Sequence, residues 1–134
     1  MEFRVLHLED SVFKHAAIAR LIKDTVNAEI DWVTDVESGI EKIKESGMQD
    51  KPYDLAITDM HYPLSKGAEA DWDAGNIFVD EVKKMHINLP VIVCSTHNMQ
   101  NEDAFGCIWY SDFRDWESEL RENVKQLVKN KANS

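Results

Sequence analysis

The sequence predicts an α/β domain with a parallel sheet and right-handed crossovers. Three observations lead there. Strand-like runs alternate along the chain with segments whose apolar residues recur at helical spacing. Two of the runs, Tyr53–Thr58 and Leu89–Cys94, are almost continuously apolar, as befits strands buried on both faces. Acids or hydroxyls follow the first, third and fourth runs, at the carboxyl ends where open α/β sheets bind ligands.

In chain order, the first strand is Phe3–Leu8, ending in Glu9-Asp10-Ser11 with Ser11 as the helix N-cap. Val12, Ala16, Ala19, Ile22, Lys23 and Val26 then follow near helical spacing. Ile30–Thr34 is the second strand; Val36–Glu45 is a helix with Val36, Ile40 and Ile43 on one face and Gly47 as its stop. The third strand, Tyr53–Thr58, ends in Asp59, and a polar loop runs from Met60 to about Asp73. Ala74–Met85 is the next helix, facing inward with Ile77, Phe78 and Val82. Leu89–Cys94 and Gly106–Tyr110 are the fourth and fifth strands. The last helix, Trp116–Lys129, carries Leu120, Val124, Leu127 and Val128, and Lys131–Ser134 is expected to fray.

At 134 residues the chain suits one domain, expected over 1–134 with no output domain after the last helix. A net charge of −10 disfavours nucleic acid and anionic membrane, which need clustered Lys and Arg. No apolar run approaches the ~20 residues of a membrane span, so no membrane insertion is expected. The amino terminus has no secretory pattern, and a cytoplasmic location is expected. Cys94 and Cys107 lie in apolar runs and read as core residues rather than zinc ligands.

The strand ends gather Glu9 and Asp10, Asp59, and Ser95 with Thr96. Converging carboxylates repel each other, so such a site raises a pKa or takes up a cation. Oxygen donors without His or Cys suit Mg²⁺, and a carboxylate beside Mg²⁺ can accept a phosphoryl group as an acyl phosphate. The plainer alternative is that Asp59 ends a turn and that Glu9-Asp10 complements a helix dipole.

The segments Val5–Asp10, Asp54–Pro63 and Leu89–Ser95 resemble the receiver domains of two-component response regulators, over about residues 3–128 and in matching order. The resemblance implies a flavodoxin-like (CheY-like) sheet of five parallel strands in the order 2-1-3-4-5. It implies Asp59 as phosphoacceptor, with Ser95 hydrogen-bonding the phosphoryl group and Pro63 in the loop after the acceptor. Glu9, Asp10, Asp59 and the His61 backbone carbonyl would hold Mg²⁺. The implied partners are a histidine kinase or phosphotransfer protein and an unknown downstream protein.

Three features depart from that pattern. Tyr110 stands where the resemblance expects a Lys, and no Lys occurs from Gln100 to Asn123, Arg114 being the nearest cation. A phenol can donate one hydrogen bond but cannot pair as an ammonium does. His97–Phe105 is too short for a full fourth helix, and Cys107 falls where many receivers carry a switching aromatic. Trp109, Tyr110, Phe113 and Trp116 cluster nearby, as core or as partner contacts. Finally, Ser65–Asp73 lengthens the loop; it is expected to be a disordered surface insertion, with Lys66 the alternative source of the cation.

The reading is a stand-alone receiver, not an enzyme, with a phosphorylation-independent pseudo-receiver as the alternative. A haloacid-dehalogenase-type phosphatase would want an acid where His61 stands. A flavodoxin would want a Ser/Thr/Gly-rich loop where Glu9-Asp10-Ser11 stands.

Overall fold

The computed structural model describes residues 2–133. Five parallel strands form the main sheet: β1 (Phe3–Leu8), β2 (Ala28–Val33), β3 (Leu55–Thr58), β6 (Val91–Ser95) and β7 (Gly106–Trp109). Their order is β2-β1-β3-β6-β7. With the short hairpin strands β4 (Tyr62–Pro63) and β5 (Ala70–Asp71) set aside, this is the predicted 2-1-3-4-5 order. The helices are α1 (Val12–Thr25), α2 (Val36–Met48), α3 (Ala74–Lys84) and α4 (Trp116–Ala132).

Side chains alternate between the two faces of each strand, so a sheet covered on both sides needs two cores. Leu6, Leu8, Ala56, Val91 and Val93 join the core with α2 and α3 residues such as Ile43 and Phe78. Val5, Leu55, Ile57, Ile92 and Cys94 join the other, with Ile18 and Ile22 of α1 and Leu120 and Val124 of α4. Cys94 is buried, Cys107 half-buried, and both are free thiols.

Several expectations change. The buried face of α1 is Lys14, Ile18, Leu21 and Ile22, whereas Val12, Ala16 and Lys23 are exposed. Gly47 does not stop α2, which runs to Met48; the left-handed turn residue is Asp50, at φ 57°. Lys131 and Ala132 belong to α4 rather than fraying, because Lys131 Nζ reaches Asp54 Oδ2 at 2.8 Å and the Glu2 carbonyl at 3.1 Å. The expected fraying of Ser134 falls outside the described residues.

The Ser65–Asp73 insertion is ordered, not disordered. Pro63 pairs with Ala70 and Tyr62 with Asp71 in an antiparallel hairpin. Tyr62 is fully buried and its hydroxyl lies 2.7 Å from Thr58 Oγ1, while the Leu64 carbonyl accepts the Glu37 N–H at 2.9 Å. One buried aromatic and a satisfied helix end hold the base of the hairpin against the core.

The fourth helix, expected to be shortened or missing, is missing: among the described residues, none of 96–105 is helical. Polar contacts hold it instead, with Asn101 Nδ2 donating to Asn76 Oδ1 at 2.8 Å and Lys83 pairing with Asp103 at 3.0 Å. Among the described residues no helix is long and apolar enough to cross a membrane.

Candidate functional site

Strand order reverses between β1 and β3, and the crevice outside the carboxyl ends of these strands is where this architecture places ligands. The ladder continues one residue past each strand: Glu9 N–H donates to the Val33 carbonyl and Asp59 N–H to the Leu8 carbonyl, both at 3.0 Å. That register fixes Glu9 and Asp59 side by side. Glu9, Asp10 and Asp59 each bring a carboxylate oxygen within 4.8 Å of the others. Glu9 is 1% exposed, Asp59 9%, and Asp10 is exposed, so the cluster runs from the interior out to solvent.

Local hydrogen bonds set the rotamers. Ser11 N–H donates to Glu9 Oε2 at 3.2 Å, and Ser11 Oγ caps α1 by accepting the Lys14 N–H at 3.3 Å. Met60 N–H donates to Asp59 Oδ1 at 2.7 Å. Beneath them Thr58 Oγ1 donates to the Asp59 carbonyl at 2.7 Å.

The sequence reading missed the cation. Lys14 Nζ lies 2.9 Å from Glu9 Oε1 and 3.0 Å from Asp59 Oδ1, and donates to the Cys94 carbonyl at 2.6 Å. Its side chain is only 6% exposed. Lys66, the replacement considered from the sequence, is exposed on the hairpin. The signal for Lys14 was one helical turn away: counting back four from Ile18 on the buried face of α1 lands on it.

Ser95 is buried at the end of β6, its Oγ accepting the His97 N–H at 3.1 Å. Tyr110 N–H donates to the Ser95 carbonyl at 2.7 Å, and the Tyr110 ring centroid lies 5.5 Å from Lys14 Nζ. Tyr110 also packs on Trp116 at 4.6 Å between centroids, and both lie against the α1/α4 core. Trp109 Nε1 donates to the Thr96 carbonyl at 3.1 Å. Phe113 is the exposed member of that aromatic group, at 93%. On the other side of the site the His61 ring stacks on Trp72 of the hairpin at 3.9 Å, and His97 meets Trp72 edge-on at 5.6 Å.

Burial pushes the Glu9 carboxyl up to about 7, and the Asp59 charge acts in the same direction against the pull of Lys14. Burial works against the Lys14 ammonium too, but Glu9 and Asp59 outweigh it and hold its pKa above the ordinary value. Lys14 therefore stays charged and offsets part of the carboxylate repulsion. The donor set fits Mg²⁺: all its side-chain ligands are carboxylate oxygens, and exposed Asp10 leaves a side open to the waters this ion retains.

Gly75 closes the floor. Its N–H donates to the Met60 carbonyl at 3.0 Å, and a Cβ there would stand 2.5 Å from the Asp59 carbonyl oxygen and 2.9 Å from Met60 Cα. Backbone atoms cannot yield as a side-chain tip can. Gly75→Ala is expected to cost about 1–3 kcal/mol in a denaturant titration, with Asp59 displaced from its neighbours.

A groove of about 910 Å³ lies at the opposite, amino end of the strands, lined in part by Phe3, Tyr53, Pro90 and Phe105. The carboxylate cluster is not part of it.

No family model matches the sequence, and no curated protein matches it. The fold, in contrast, is that of response-regulator receiver domains. The response regulatory domain of protein mrkE from Klebsiella pneumoniae superposes with a TM-score of 0.74 at 14% identity, over 98% of this chain and all of that one (100%). A response regulator receiver domain protein from Clostridium thermocellum gives 0.71 at 17% identity, over 97% of each chain. The chemotaxis response regulator CheY4 of Vibrio cholerae gives 0.64 at 16% identity, over 97% and 98%.

Proposed function

We propose that the protein is a response-regulator receiver, taking a phosphoryl group on Asp59 with Mg²⁺ and signalling by protein–protein contact. The observation that carries this is the Glu9, Asp10 and Asp59 cluster at the β1/β3 crevice of a receiver fold. Asp59 is the phosphoacceptor: its carboxylate oxygen attacks phosphorus, and the donor departs with the electrons of the broken P–O or P–N bond. Mg²⁺, held by Glu9, Asp10, Asp59 and the His61 backbone carbonyl, would neutralise charge on the transferring group. The Ser95 hydroxyl, buried beside the acceptor strand, is the hydrogen-bond donor to the phosphoryl oxygens. Tyr110 contributes a ring wall in place of the usual Lys. The donor in the cell would be a histidine kinase or phosphotransfer protein, and the working location the cytoplasm.

Incubation with acetyl phosphate and Mg²⁺ should give one phosphoryl adduct by intact mass, absent in Asp59→Asn and after chelation. An unlabelled wild-type protein beside a control receiver that labels would sink the proposal.

A second reading is a pseudo-receiver, a phosphorylation-independent interaction module. The ammonium already seated between Glu9 and Asp59, and the missing fourth helix, support it. On this reading a partner's affinity is unchanged by Asp59→Ala; on the first it changes with phosphorylation.

A further inference from the structure

Outside the carboxylates lie the amino-end groove, the exposed Phe13 and Phe113, the His7–His15 pair, the His61–Trp72–His97 stack and Lys14. Lys14 is the one whose surroundings specify a task. Its ammonium donates to the Cys94 carbonyl at 2.6 Å and lies 2.9 Å from Glu9 Oε1 and 3.0 Å from Asp59 Oδ1 as ion pairs. A lysine on a first helical turn is ordinarily solvated, and burying one is costly unless it is paired. Here burial, pairing and aim all converge on the Asp59 carboxylate.

Tyr110 fixes the meaning of that placement. It stands just past the fifth parallel strand, in a stretch with no Lys from Gln100 to Asn123, and its ring lies 5.5 Å from the Lys14 ammonium. The two side chains approach the same space from opposite elements, α1 and the end of β7. We propose that Lys14 is the phosphoryl-site cation of this protein: a catalytic residue on α1 that pairs with Asp59 at rest and with the phosphoryl oxygens after transfer. This rests on Asp59 being the phosphoacceptor.

With acetyl phosphate as donor, an Asp59 oxygen forms the new O–P bond, and the P–O bond to the acetyl group breaks. Acetate leaves with that electron pair, and the product is an aspartyl phosphate. Lys14 transfers no proton in the step. It moves from a carboxylate oxygen to the phosphoryl oxygens, a shift along the same short path, and neutralises charge where it accumulates.

The test follows adduct formation by intact mass for wild type, Lys14→Met, Lys14→Arg and the double variant Lys14→Met with Tyr110→Lys. All are checked for a cooperative thermal transition, and for Mg²⁺ affinity without donor by tryptophan fluorescence. Lys14→Met should label about 100-fold more slowly, the loss typical of a donor aimed at developing charge. Its Mg²⁺ affinity should not weaken, since a competing positive charge is gone. Lys14→Arg should retain part of the rate. The double variant should regain most of it, because the cation returns from the strand end; a purely structural role for Lys14 predicts no such rescue. Labelling of Lys14→Met at the wild-type rate, or a folded double variant as slow as the single one, overturns the role of Lys14 and leaves Asp59 as acceptor. Wild type that does not label, beside a control receiver that does, overturns the phosphoacceptor reading itself and the Lys14 role with it.

Discussion

Lys14→Met is expected to unfold about 3 kcal/mol more easily than wild type in a urea titration at about pH 8, the loss typical of removing one partner from a buried ion pair. Glu9 and Asp59, with side chains 1% and 12% exposed, would face each other without the ammonium that now lies between them. The loss should shrink toward about pH 5. Glu9 has its folded pKa raised from 4.5 to about 7, so between these values the folded protein keeps a proton that the unfolded chain releases. Stability therefore rises as pH falls through that window and declines as pH rises through it. Without Lys14 the Glu9 carboxyl is pushed further the same way, which steepens the decline. Adding Glu9→Gln should recover most of the loss, a coupling that a double-mutant cycle measures directly. Mg²⁺ at 100 times its Kd should restore about 2.7 kcal/mol to a folded protein that binds it.

A second large effect comes from His7. Its ring is 1% exposed, its Nδ1 is 2.8 Å from His15 Nδ1, and its Nε2 has no hydrogen-bond partner among the described residues. One Nδ1 must donate and the other accept, so both rings cannot be charged at once without losing this bond. Burial, then His15 and Lys14, hold the His7 pKa well below 6.5. Below that pH the unfolded chain binds a proton that the folded protein refuses. The contribution of His7 is thus intact above pH 6.5 and is lost as pH falls, at up to about 1.4 kcal/mol per pH unit. Glu9 changes stability in the opposite sense over part of this range, so the difference between His7→Phe and wild type is the informative quantity. Between about pH 7.5 and pH 5 that difference should move in favour of His7→Phe. A difference that stays flat with pH would mean that His7 titrates normally.

Much of the architecture was legible because periodicity and strand burial are written locally. Phe3–Leu8 and the run into Thr58 read as strands, and the acids that follow them fall at the crevice their strand order defines. Ser11 read as a cap, and it is one. The hairpin was not legible: two-residue strands carry no period, and its anchor, Tyr62, is buried by tertiary packing that no local pattern encodes. Lys14 was hidden differently. Spacing predicts a helix face through Val12, Ala16, Ala19, Ile22, Lys23 and Val26, whereas the buried face is Lys14, Ile18, Leu21 and Ile22, with Ile22 alone in common. A charged residue in register with Ile18, Leu21 and Ile22 was the available sign. The fifth strand and the loop with Lys66 are the places that linear alignment points to, whereas a contact between α1 and a strand end far along the chain is a property of topology, not of spacing.

A crystal structure with Mg²⁺ and beryllium fluoride, a phosphoryl mimic, tests the central claim most directly. The account predicts the fluoride adduct on an Asp59 carboxylate oxygen, Mg²⁺ among the Glu9, Asp10 and Asp59 carboxylates, the Ser95 hydroxyl on one fluorine and Lys14 Nζ on another. A site that takes up neither group at saturating concentrations, with Lys14 still bridging Glu9 and Asp59, would contradict it.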